Sequence, residues 1–70
     1  MKANLRALTA REREVLNHLA NGQRNHGIAN ELGISPRTVQ KHLQRIYAKL
    51  GVTGRTAAAL YAVRAAAKRD

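Results

Sequence analysis

The eighteen residues GISPRTVQKHLQRIYAKL, Gly33 to Leu50, constrain this chain more than any other stretch. Val39, Leu43, Ile46 and Leu50 recur at i, i+4, i+7 and i+11. At about 100° per residue that spacing puts all four in one narrow stripe of an α-helix. The start of the helix is equally well specified. Gly33 can adopt the left-handed conformation that ends a preceding helix. Ile34 can pack back over the turn. Ser35 is a good N-cap, and Pro36 stands at the first helical position, where its missing N–H costs nothing. A helix, a glycine turn and a capped second helix make a helix-turn-helix.

The side opposite the stripe carries Arg37, Lys41 and Gln44, flanked by Gln40 and Arg45, and it holds no acid. Arg, Lys and Gln are long side chains rich in hydrogen-bond donors, and an α-helix fits the major groove of B-DNA. The pattern therefore predicts a recognition helix. The competing reading is an amphipathic surface helix with a solvated polar face.

Global charge points the same way. Thirteen Lys and Arg against four Asp and Glu give +9 in 70 residues. That much charge on a small body repels itself and favours a polyanionic partner, with nucleic acid ahead of an anionic membrane surface. The cations are spread along the chain, as on a folded surface, and not gathered in a tail. Seventy residues make at most one domain. With no Phe or Trp, the core must come from Leu, Ile, Val and Ala, which suits short helices better than a large pocket. The absence of cysteine excludes disulfides and thiolate metal sites. No apolar run approaches the roughly 18 residues of a membrane span, and the first residues lack the apolar core of a signal peptide. A cytoplasmic setting is expected.

Taken in order, residues 1–8 read as a lead-in, with Leu5 and Leu8 against the body and Lys2 and Arg6 solvated. Thr9-Ala10-Arg11-Glu12 is a capping box, in which hydroxyl and carboxylate each satisfy the other residue's backbone N–H. It opens a helix over about 9–21, with Val15, Leu16, Leu19 and Ala20 inward and Gly22 as its stop. A second helix spans about 25–32, with Asn25 as N-cap and Ile28, Ala29 and Leu32 inward. Gly27 inside it costs about 1 kcal/mol relative to Ala unless a close neighbour needs the room. In a helix-turn-helix this helix crosses the phosphate backbone, and Arg24, Asn25 and His26 would add donors at its N-terminus. The third helix covers about 35–50 and ends at Gly51; the fourth covers about 54–68. Its Ala-rich sequence leaves more apolar surface than a solvated helix needs, a candidate self-association face. The expected fold is all-α: a lead-in over 1–8 and one four-helix domain over 9–68.

The segments LTAREREVL, ANGQ, IANELGIS, TVQKHL, IYAKLGV and GRTAAA, in this order and spacing, resemble the LuxR-type (FixJ/NarL-type) DNA-binding domain over about residues 8–63. The resemblance implies a four-helix bundle containing a helix-turn-helix, in a bacterial transcription regulator that binds DNA as a dimer through its fourth helix. It places the base readers at Gln40, Lys41 and Gln44, and Thr38 near the backbone. It pairs Glu12 with Arg55, tying the first helix to the fourth. Gln40 replaces the family's usual Lys and is suited to bidentate contact with adenine. Gly27 and Ala57 replace common acids, and both changes raise the positive charge. In most members a receiver or ligand-binding domain precedes this one, so the chain reads as the output domain of a response regulator or as a small stand-alone regulator.

The expected partner is double-stranded DNA, entered through the major groove. Base contacts are expected from Gln40, Lys41 and Gln44, and phosphate contacts from Arg24, Asn25, Arg37, Thr38, His42 and Arg45. A homodimer, weak in the isolated chain, would use Ala57, Tyr61, Arg64 and Ala65. Thr9, Glu12, Gly33, Ser35 and Arg55 are expected to be structural. RNA polymerase is a further candidate partner, and the bacterial nucleoid the expected location. No catalytic residue, metal site, cofactor or membrane attachment is expected. The four acids show no paired arrangement, and His18, His26 and His42 lack the spacing of a helical zinc pair. The alternative from another class is a helical protein-interaction module that binds nucleic acid only non-specifically.

Overall fold

The computed structural model describes residues 5–67. A 3-10 turn, Leu5–Ala7, leads into four helices: α1 (Ala10–Ala20), α2 (Asn25–Leu32), α3 (Pro36–Leu50) and α4 (Arg55–Ala67). The expectations for Lys2, for the side chain of Leu5 and for helix at Lys68 lie outside the described residues. No strand occurs among them.

Local chemistry sets both ends of α1 and α3 and the C-terminal end of α2. Thr9 caps α1 through the reciprocal capping box: its hydroxyl accepts from the Glu12 N–H at 3.1 Å, and its own N–H donates to Glu12 Oε1 at 2.9 Å. Asn21 closes α1, and Gly22 follows at φ 86°. Gly33 and Gly51 end α2 and α3 with the same left-handed geometry, φ 70° in both. After each, the next residue folds back onto the helix: Ile34 N donates to Ala29 O, and Val52 N to Tyr47 O. Ser35 caps α3 by accepting from Thr38 N at 3.1 Å, with Pro36 as its first residue.

One cap differs from expectation. Arg24, not Asn25, is the N-cap of α2, and it makes no side-chain capping bond. Asn25 is the first helical residue, and its amide is engaged elsewhere.

The core is continuous. The α3 stripe of Val39, Leu43, Ile46 and Leu50 is buried, with Val15, Leu16 and Leu19 of α1, Ile28 and Ala29 of α2, and Leu8 ahead of α1. Ala20 is only half-buried. α3 lies against all three other helices, and α4 against α1 and α3. From α4 only Ala58 is fully buried; Ala59, Tyr61 and Ala62 pack on the core, while Leu60 and Val63 are about half exposed, at 50% and 51%. Small residues on α4 let it approach α1 closely and leave its two large aliphatics facing outward.

The expected Glu12–Arg55 pair does not form. Glu12, 3% exposed, accepts from Lys49 Nζ at 2.8 Å, which ties α1 to the end of α3. The capping box bends the Glu12 carboxylate back toward the α1 N-terminus, and the last turn of α3 passes there. Arg55 begins α4 on the other side, where its guanidinium meets Gln23 O at 2.7 Å and Asn25 Oδ1 at 3.0 Å.

Candidate nucleic-acid interface

With its apolar stripe buried, α3 presents its other side to solvent. Arg37, Gln40, Lys41, Gln44 and Arg45 are all exposed. Among the described residues no acid, Glu31 of α2 included, forms an ion pair with them. Glu12 is buried and paired with Lys49, and Glu14 pairs with Arg11 on α1 at 3.5 Å. Among the described residues Arg24, Arg37, Lys41 and Arg45 have no ion-pair partner. The face is therefore an uncompensated row of cations and amides on a helix whose axis is fixed by its own core.

The turn Gly33–Ser35 sets α2 across the start of α3. Their junction is direct: Asn25 Nδ2 donates to Gln40 Oε1 at 3.2 Å. The N-terminus of α2, with Arg24 and His26 exposed beside it, thus adjoins the exposed polar side of α3, where the base readers are expected. Of the expected phosphate contacts, Arg24, Arg37 and Arg45 are free to serve. Thr38 is half-buried and its hydroxyl lies 3.0 Å from Ser35 Oγ. Asn25 spends its amide on Gln40 and Arg55. His42 is half-buried, with a buried Nδ1 that has no hydrogen-bond partner. It belongs to the body of the domain more than to the outer face.

Two residues were missed in the sequence. Lys49 is the counter-ion of Glu12. Gln23 holds two places together, its side chain bonding His18 Nδ1 and its carbonyl accepting from Arg55. The Lys49–Glu12 and Arg55–Gln23 contacts carry no local signal, because those partners meet only when helices pack; the Gln23–His18 bond is local, spanning five residues at the end of α1. Burial pushes the Glu12 carboxyl up, but hydrogen bonds from Lys49 and the Thr9 N–H, with the positive charges of Lys49 and His42, prevail and hold it below the usual carboxylate range.

On α4, four expected self-association residues line one open groove. Ala57, Tyr61, Arg64 and Ala65 lie there with Val52 and Leu60. Among the described residues no cluster of His, Asp and Glu could hold a metal ion, and no helix is long and apolar enough to cross a membrane.

A glycine-turned helix pair in an all-α bundle, with one helix buried on its stripe and basic outside, defines a helix-turn-helix domain. The family described as "Bacterial regulatory proteins, luxR family" matches residues 6–62, and the chain belongs to it. It is 56% identical over 57 residues to the probable transcriptional regulatory protein NarL of Mycobacterium tuberculosis, covering 81% of this chain and 26% of that protein. It is 51% identical over 57 residues to the uncharacterized transcriptional regulatory protein YhcZ of Bacillus subtilis, covering 81% and 27%. With the putative HTH-type transcriptional regulator YhjB of Escherichia coli it shares 46% over 57 residues, covering 81% and 28%. The chain thus spans about a quarter of the length of these relatives.

Proposed function

We propose that the chain binds double-stranded DNA sequence-specifically, with α3 in the major groove and α2 across the backbone. The observation that carries this reading is the exposed, acid-free outer face of α3, backed by a fully buried stripe. Gln40, Lys41 and Gln44 read base edges, and Lys41 suits guanine O6 and N7. Arg24, Arg37 and Arg45 neutralise phosphates, with Thr38, His42 and the backbone of Asn25 at the margin of that contact. With three such arginines in each of two copies, about six neutralised phosphates give a log–log salt slope near −5. DNA as the partner sets the work in the bacterial cytoplasm.

One domain of this size offers little interface for tight specific binding, so the functional unit is a two-fold dimer on paired half-sites. The groove with Ala57, Tyr61, Arg64 and Ala65 is its contact, with half-exposed Leu60 beside them. No surface feature among the described residues singles out RNA polymerase as a second partner.

The test is a fluorescence-anisotropy titration of a duplex selected from a random pool against a scrambled duplex. A preference of roughly 10³-fold is expected of a specific reader. Lys41→Glu should remove roughly 10-fold or more of the affinity for the selected duplex, by losing a base contact and repelling phosphate, with an unchanged circular-dichroism melt. Unchanged binding by Lys41→Glu would leave the interaction-module reading in its place.

A further inference from the structure

We infer that Arg55, a residue of α4 outside the proposed DNA face, sets which base Gln40 prefers, acting through Asn25. The inference rests on Gln40 being a base reader, as proposed above. Three contacts form a relay. Arg55 Nη2 donates to Gln23 O at 2.7 Å, Arg55 Nη1 donates to Asn25 Oδ1 at 3.0 Å, and Asn25 Nδ2 donates to Gln40 Oε1 at 3.2 Å.

The direction of the relay is fixed by chemistry. A guanidinium has five N–H donors and no acceptor. The Asn25 atom that meets Arg55 must therefore be the carbonyl oxygen. That leaves the Asn25 NH2 facing Gln40. An amide NH2 only donates, so the Gln40 atom it meets must also be a carbonyl oxygen. The Gln40 NH2 is then the end left unengaged on the exposed face of α3. The Gln23 carbonyl, at the α1–α2 turn, anchors the guanidinium and with it the whole sequence of donors.

A Gln with its oxygen occupied and its NH2 outward is a donor to DNA. It favours base edges that carry acceptors, guanine N7 and O6 or thymine O4, and it disfavours the N4 donor of cytosine. The free amide, able to turn over, would have no such bias and could adopt the bidentate adenine contact. Arg55 is thus a positioning residue for specificity, and Asn25 is the part that transmits its polarity.

Asn25→Asp separates this role from a merely structural one. The aspartate still accepts from Arg55, but it offers Gln40 an acceptor in place of a donor. Gln40 must then turn its NH2 inward and its oxygen toward the DNA. The experiment measures base preferences of the whole chain at every position, by selection from a random duplex pool, for wild type, Gln40→Ala, Asn25→Asp, Arg55→Met, Arg55→Lys and each Asn25 and Arg55 variant combined with Gln40→Ala. Gln40→Ala identifies the base pair that Gln40 meets, as the position where preference flattens. There, Asn25→Asp should raise cytosine relative to guanine by roughly 5- to 100-fold, the worth of one good base contact. Arg55→Met should relax that position, and Arg55→Lys should partly restore it. Neither Asn25→Asp nor Arg55→Met should alter preference further once Gln40 is Ala. Added phosphate repulsion by the new aspartate lowers affinity for all sequences alike and cancels in the ratio.

If Gln40→Ala flattens one position but Asn25→Asp and Arg55→Met leave it as in wild type, the relay is wrong and Gln40 still reads DNA. A shift that persists in the Gln40→Ala background overturns the relay as well. If Gln40→Ala changes no position, the base-reading role of Gln40 falls and the relay with it. Should Arg55→Met fail to fold, Asn25→Asp decides alone, because it keeps every partner of Arg55.

Discussion

Glu12 does two jobs with one carboxylate, and they can be separated. It caps α1 by accepting from the Thr9 N–H, and it accepts from Lys49 across the core. Glu12→Gln keeps the cap, since glutamine also completes a capping box, and removes the charge. Lys49 is 34% exposed and can turn to water, so the loss should be about 1–2 kcal/mol at pH 7 in urea unfolding. The pH dependence has a definite sign. The folded pKa of Glu12 lies below its ordinary value, so the stabilisation is full above about pH 4.3 and is lost as pH falls through the folded value. Glu12→Gln should flatten that acid limb; an identical acid limb in both proteins would assign it to other carboxylates. Gly27 makes a second prediction. A Cβ there would meet only Gln23, at 3.8 and 3.9 Å, which is ordinary contact, so no close neighbour requires the glycine. Gly27→Ala should raise stability by about 0.4–1 kcal/mol; a lowered melting temperature would reveal a constraint on that turn that packing does not show. These residues also mark how far the sequence was legible. The capping box joins residues three apart and is visible in the string, whereas Lys49 lies thirty-seven residues from Glu12 and is brought to it only by packing.

At the scale of elements, α3 was the most legible because three signals agree on it: an apolar stripe, a Ser-Pro start and a Gly stop. All four residues of its stripe are buried as expected. The α2 start was misread by one residue. Arg24 and Asn25 are both able to precede a helix, and the tertiary bonds of the Asn25 amide decide between them. For α4 the helix was legible but its inward face was not, because alanine on every side gives no periodicity to follow. Leu60 and Val63 face outward although they are the largest aliphatics of that helix. The expected base readers are all exposed on one face, but the amide polarity imposed by Asn25 and Arg55 leaves no mark in the string, since those bonds join residues 15 and 30 apart. The turn between α2 and α3 offers a prediction at this scale. Gly33 has φ 70° and open space where a Cβ would stand, so Gly33→Ala is opposed by backbone conformation alone. The cost should be about 1–2 kcal/mol in thermal or urea unfolding. A much larger loss would mean that the turn cannot hold its shape and that α3 shifts relative to α2, which a fall in DNA affinity would then accompany.

For the whole molecule, the question is how a +9 body of 70 residues gains specificity as well as attraction to DNA. Charge brings the domain to any duplex, and one recognition helix distinguishes only a few base pairs. A second copy on an adjoining half-site multiplies that discrimination, since the second binding event occurs at high effective concentration. The α4 groove is suited to such pairing, being apolar and turned outward through Leu60 while Tyr61 still packs on the core. Leu60→Asp tests this with the monomer still folded, because the side chain is already half exposed and loss of its buried half costs about 1 kcal/mol. Wild type should bind a duplex with two half-sites about 10²-fold more tightly than a duplex with one. Leu60→Asp should lose most of that advantage and keep its affinity for the single half-site, apart from a small uniform loss from the added negative charge. Anisotropy titrations on the two duplexes, with sedimentation velocity of each complex, give both numbers. If the advantage of the paired site survives in Leu60→Asp, the copies meet through another surface or only through the DNA, and the apolar face of α4 has a different occupant.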